Sequence, residues 1–197
     1  MKMTYIIIGI ILAGGLVFYL TSCGNKSTAN DKQKVADSDT TKPKVHQTKE
    51  NAFDELRNMS FTATPEQLGL SLPTDKTVVY GVIMDWEMGG ATATTVSYQT
   101  GDASLYLSSG GGVIGGGQHQ NVNSAAKQFV ILAQTFLDKT TKTETTPLPS
   151  TDEVKFYLLT NKGVYMGQET MKNFENNSSS WLKLFEEGNN VLTELRK

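Results

Sequence analysis

The sequence predicts an α+β domain, with an antiparallel sheet of about five strands and two to three packed helices in the order α-β-β-β-α-β-β-α. Three observations carry this expectation. Between residues 77 and 108, runs rich in β-branched and aromatic residues are separated by glycine-containing turns, the pattern of successive hairpins. Val122, Ala126, Phe129, Ala133 and Phe136 then recur at intervals of four, three, four and three, which lays one apolar stripe along a helix. Trp181, Phe185, Gly188, Leu192 and Leu195 repeat that spacing later in the chain.

Taken in order, Phe53 to Met59 suits a short helix, and Thr64-Pro65-Glu66-Gln67-Leu68-Gly69 suits one further helical turn. There Thr64 can cap, Pro65 fits the first helical position and Gly69 ends the turn. Thr77 to Met84 is a nearly continuous apolar run and reads as a central strand. Met88-Gly89-Gly90 turns the chain into a partner strand over Ala91 to Gln99, with Thr94, Val96 and Tyr98 on one face. After a turn at Thr100-Gly101-Asp102, Ser104 to Ser108 forms a third strand. The striped helix follows a glycine block and closes at Asp138-Lys139, and a Thr- and Pro-rich connector runs from Thr140 to Ser150. Glu153 to Thr160 and Gly163 to Gly167 pair around Asn161-Lys162-Gly163, and a last helix extends from about Ser179 to Arg196. Gly188 falls on the buried stripe of that helix, so the spacing predicts a close approach to the sheet rather than a break.

The first residues are of another kind. Met1-Lys2-Met3 gives a short basic start, Thr4 to Leu20 is uncharged and mostly apolar, and Leu20-Thr21-Ser22-Cys23 ends the run. A charged start, an apolar run and small residues before a cut site describe a secretory signal. Leu20-Thr21-Ser22-Cys23 resembles the lipobox of bacterial lipoproteins. The resemblance implies that Cys23 is lipid-modified, that residues 1–22 are removed, and that the chain is held at the bacterial cell membrane or outer membrane with its domain outside the cytoplasm. It covers about the first 24 residues. The other topology is a single-pass protein with an uncleaved N-terminal helix, since the run approaches the ~20 residues that span a bilayer and lysines 26, 32, 34 and 42 follow it closely.

Cys23 is the sole cysteine, so disulfides and cysteine-ligated metals are not available to the domain. Residues 23–51 hold few apolar side chains and are expected to form a disordered tether, leaving 52–197 as a single globular domain. The stretch 24–51 carries six lysines against four acids, whereas 52–197 carries 11 basic and 16 acidic side chains. That acidic balance argues against nucleic acid as a partner, while a basic tether suits an anionic lipid surface.

Residues with chemical potential are few. Gly110, Gly112 and Gly115 satisfy G-x-G-x-x-G between a strand and a helix, within the block that runs to Gly117, and backbone N–H groups there could cradle an anion. The preceding strands are hairpins rather than a parallel βαβ unit, and no Lys-Ser/Thr pair completes a phosphate loop, so a tightly turned connector is the competing reading. His119 is the only histidine of residues 52–197 and follows the glycines; with Asp85, Glu87 or Asp102 it could form an acid–base or metal cluster, although its spacing matches no metal pattern. Asp85 and Glu87 share a face at the end of the first strand, where paired carboxylates could do acid–base work or simply be solvated. No G-x-S-x-G elbow is present. The expected function is therefore a membrane-anchored, non-enzymatic domain that binds an envelope protein or small ligand. No cofactor and no metal is expected. The rival is an enzyme or nucleotide-responsive module built on the glycine block with His119.

Overall fold

The computed structural model describes residues 49–197. The apolar run, Cys23 and most of the expected tether lie outside the described residues. One seven-stranded sheet organises the domain, in the order β4-β3-β2-β1-β6-β7-β5. Its strands are β1 (Val79–Glu87), β2 (Thr92–Tyr98), β3 (Ala103–Leu107), β4 (Gly112–Val113), β5 (Thr141–Thr143), β6 (Glu153–Thr160) and β7 (Gly163–Thr170). All neighbouring pairs are antiparallel. The helices are α1 (Lys49–Thr62), α2 (Gln120–Gln134), α3 (Met171–Glu175) and α4 (Leu182–Leu195).

The fold class is the expected one, and the counts are corrected. The sheet gains β4 from the glycine block and β5 from the Thr- and Pro-rich connector. Both are short edge strands made by pairing with a longer neighbour, so neither carries an apolar alternation of its own. Helix α1 reaches back to Lys49, ahead of the expected domain start at 52, and α4 begins at Leu182 rather than near Ser179. Residues 65–69 form turns rather than a helix. The local chemistry is nonetheless that of a cap: Thr64 N–H donates to Gln67 Oε1 at 2.9 Å and Gln67 N–H to Thr64 Oγ1 at 3.3 Å.

Alternation along the central strands divides the core in two. Val82 and Met84 of β1 and Val154, Phe156 and Leu158 of β6 face α2 and α4. The α2 stripe predicted by spacing is buried along its length, with Phe129, Ala126 and Ala133 fully enclosed. Burying one such phenylalanine contributes about 1.5–3 kcal/mol. Trp181, just before α4, stacks on Phe156 with ring centroids 5.3 Å apart. Gly188 lies within the unbroken α4, where an added Cβ would stand 2.5 Å from Met84 Sδ and 3.2 Å from Phe129 Cζ, so its bare backbone lets the helix approach the sheet as the spacing predicts.

The opposite face is covered by α1. Phe53 is buried there, and Leu56 and Phe61 pack over Ile83, Val96, Tyr157 and Leu159. A helix leaves its last carbonyls without intrahelical partners. Here the sheet supplies donors at that end: Tyr98 Oη donates to Ser60 O at 2.8 Å, and Tyr80 Oη donates to the carbonyl of Ala63, just past the helix, at 2.9 Å. The phenols are thereby held in a place where the charged form is penalised, and burial raises the pKa of both.

Candidate functional site

The glycine block is a hairpin turn followed by an edge strand and one 3-10 turn at Gly116–Gln118. Gly110 N–H donates to Leu107 O at 2.8 Å, Leu107 N–H donates to Gly111 O at 3.1 Å, and Gly115 N–H donates to Ser104 Oγ at 3.2 Å. These donors are consumed inside the hairpin. At Gly112, with φ 154°, a Cβ would run into the carbonyl oxygen of Leu105 across the strand pair. Gly115 has φ 70° with open space around it, so its requirement is the left-handed backbone alone. Gly117 is pressed against the turn at 101–102, where a Cβ would meet Asp102 Cα at 2.8 Å. Close backbone approach within the fold thus accounts for Gly112 and Gly117, and turn geometry for Gly115.

What the hairpin does create is a wall. Gly110, Gly111 and Gly112 line a groove of about 280 Å³ with Ala52, Phe53 and Leu56 of α1 and with Tyr106, Leu107 and Ile114. No side chain with a formal charge lines it. Ile114 stands on its rim, 66% exposed. Such a lining suits an apolar group, not a phosphate, which needs cationic or unspent N–H partners.

His119 belongs elsewhere. It lies with Gly116, Val113, Gln120, Asn121, Glu194 and Lys197 around a separate, half-open hollow of about 350 Å³ where α2 begins and α4 ends. His119 is exposed and occupies the N-cap position of α2 without a side-chain capping bond. The glycine block is thus divided between two openings: Gly110 and Gly112 border the α1 groove, whereas Gly116 borders the hollow with His119. Of the acids considered with it, Asp85 is bonded to Arg57 and Thr94 and Glu87 to backbone N–H groups. Among the described residues, no three His, Cys, Asp or Glu side chains are grouped to hold a metal ion.

The pairing of Asp85 with Glu87 as a solvated strand end is also corrected. Glu87 accepts from Asp152 N–H at 2.9 Å and Gly90 N–H at 2.5 Å, and these backbone bonds hold its carboxyl below the usual range. Asp85 is fully buried. Its Oδ2 accepts from Arg57 Nε at 3.0 Å and Nη2 at 2.5 Å, and its Oδ1 from Thr94 Oγ1 at 2.6 Å. The guanidinium lies 5.0 Å from the Phe61 ring centroid and 5.7 Å from that of Tyr157. Burial, with the Asp85 charge adding to it, pushes the Tyr157 phenol up to about 12. Above this cluster lies the connector between β5 and β6. Arg57 Nη2 donates to Thr146 O at 2.9 Å, Tyr157 Oη to Pro147 O at 2.5 Å, and Lys155 Nζ to Leu148 O at 3.0 Å. Arg57, Lys155 and Tyr157 were not singled out from the sequence; for Arg57 and Lys155 the available signal was a charged residue at an otherwise apolar position of a helix or strand, and Tyr157 carried none.

No family model matches the chain, and no curated protein or solved structure matches it. Among the described residues, no helix is long and apolar enough to cross a membrane.

Proposed function

We propose that the chain is a lipid-anchored protein of the bacterial envelope whose domain is a non-enzymatic binding module, receiving an apolar group of a ligand or partner protein in the groove between α1 and the β3–β4 hairpin. The anchor rests on Leu20-Thr21-Ser22-Cys23 at the end of the apolar run. The binding reading rests on one observation: an open groove of about 280 Å³ lined by apolar side chains and bare glycine backbone, with Ile114 exposed at its rim. A groove lined by no carboxylate, imidazole or amine, with the Tyr106 phenol as its one polar side chain, is better suited to excluding water from an aliphatic or aromatic group than to acid–base chemistry. The acidic balance of residues 52–197 fits a protein or apolar ligand better than nucleic acid.

Titration of the full chain with an environment-sensitive fluorescent fatty acid tests this. Saturable binding is expected for the parent. Ile114→Glu places a charge on the rim at a position already in water, so it should leave the melting temperature within about 2 °C, as surface substitutions do, while weakening binding at least about tenfold. Equal binding by parent and variant, or no saturable binding by either, refutes the groove as the binding site.

A further inference from the structure

The segment between β5 and β6 is anchored by an unusual set of contacts. Its ends are tied locally, Thr145 N–H to Thr143 Oγ1 at 3.1 Å and Ser150 N–H to Glu153 Oε2 at 2.9 Å. Between those ties, the carbonyls of Thr146, Pro147 and Leu148 each accept one bond from a side chain beneath, from Arg57, Tyr157 and Lys155 in turn. Three successive carbonyls are thus held by three donors from two elements. Pro147 and Pro149 lack N–H groups and favour the extended polyproline conformation, so this stretch offers acceptors and few donors. A surface of donors faces a strip of acceptors.

This chemistry does not depend on the strip being covalently part of the chain. Main-chain carbonyls are common to every peptide, and an extended proline-containing segment brings them without N–H groups that would need partners of their own. Grooves that take proline-rich peptides combine aromatic rings with donors in this way, and here the rings are Tyr157 and Phe61, which meet edge to face at 5.2 Å. Lys155 is 7% exposed; its ammonium donates to the Leu148 carbonyl, and its neighbour across the β1–β6 pair is Asp85, already held by Arg57 and Thr94.

The geometry points to the cleft of Arg57, Tyr157 and Lys155 as a recognition site for an extended, proline-containing segment of a partner protein, with residues 144–150 seated there as a built-in competitor. This site is distinct from the apolar groove, although α1 contributes to both. Opening requires the strip to leave three side-chain bonds while β5 and β6 stay paired with their neighbours.

The probe is a labelled, end-capped peptide with the sequence of residues 144–150, Glu-Thr-Thr-Pro-Leu-Pro-Ser. The test protein is the full chain with residues 144–150 replaced by a Gly/Ser linker of equal length, its folding followed by melting. Fluorescence polarisation should show saturable binding by the replaced variant and at least about tenfold weaker binding by the parent, in which only the open fraction is competent. A peptide with both prolines changed to alanine should bind more weakly. A second variant carries a protease site inserted after Ser150 and is cut after folding, so that one end of the strip is released. Peptide binding by the replaced or the cut protein supports the assignment. A folded variant that fails to bind the peptide overturns it, and so does binding that is indifferent to the prolines.

Discussion

Replacing Arg57 tests how α1 is held to the sheet. Arg57→Met keeps the length and apolar stem of the side chain and removes the guanidinium. Asp85, fully buried, then loses the donors at 3.0 and 2.5 Å and keeps the Thr94 hydroxyl at 2.6 Å. Removing one partner of a buried ion pair costs about 3–5 kcal/mol, because a charge is left without compensation. Packing of methionine against the Phe61 and Tyr157 rings offsets a fraction of this. For a domain of this size each kcal/mol moves the melting temperature by about 2–4 °C, so a fall on the order of 10 °C is expected. Asp85→Asn leaves the buried Arg57 guanidinium without its counter-charge, so it should also cost about 3–5 kcal/mol, offset in part by the amide oxygen that still accepts from Arg57. The double change Arg57→Met with Asp85→Leu removes both charges together, and its cost should be smaller than the sum of the single Arg57→Met and Asp85→Leu costs by on the order of 2 kcal/mol. Urea unfolding of the four proteins gives the cycle, provided the slopes agree. Strict additivity, or an Arg57→Met cost under about 1 kcal/mol, would refute the pair as the anchor of α1.

Further outcomes follow from single contacts. Thr95 and Ser97 sit fully buried on the α2 face with hydroxyls that lack partners; Thr95→Val, of the same shape, should raise stability by about 1 kcal/mol in urea melts. Gly115→Ala should cost about 1–2 kcal/mol through left-handed backbone alone, and Gly112→Ala should cost more, because the β3–β4 pair must part to clear Leu105 O. Tyr80, Tyr98 and Tyr157 have raised folded-state values, so the stability they contribute is present below the ordinary phenol value of 10 and lost as pH rises through the folded values, about 12 for Tyr157. Absorbance titration should therefore show these phenols ionising late and together with alkaline unfolding.

Sequence periodicity carried the fold where elements are long and one-sided. The α2 stripe from Val122 to Phe136 and the β1, β2 and β6 runs are set by burial on one helix face or on two sheet faces, and burial leaves a pattern in the sequence. The edge strands leave none. Gly112–Val113 is a strand only because Tyr106 and Leu105 pair with it, and glycine has little strand preference of its own. The candidate site was legible in the same uneven way. The glycine block was visible as a turn with special backbone needs, but the groove it lines depends on Ala52, Phe53 and Leu56 of α1, a helix with little apolar pattern. The Arg57–Asp85 pair joins residues 28 apart across two elements, and nothing in either neighbourhood signals the other. The strip over it reads as an ordinary Thr- and Pro-rich connector, because carbonyl acceptors have no signature in side-chain identity.

Lipid on Cys23, proposed above to hold the domain to a membrane, can be read from the intact mass of the chain extracted from bacterial envelopes. The expected result is a protein lacking residues 1–22 and carrying acyl mass on Cys23, and a Cys23→Ser variant that accumulates at full precursor mass and leaves the detergent phase. A parent chain of unprocessed mass, retained in the membrane equally well with Cys23→Ser, would contradict the lipid anchor and favour the uncleaved single-pass topology.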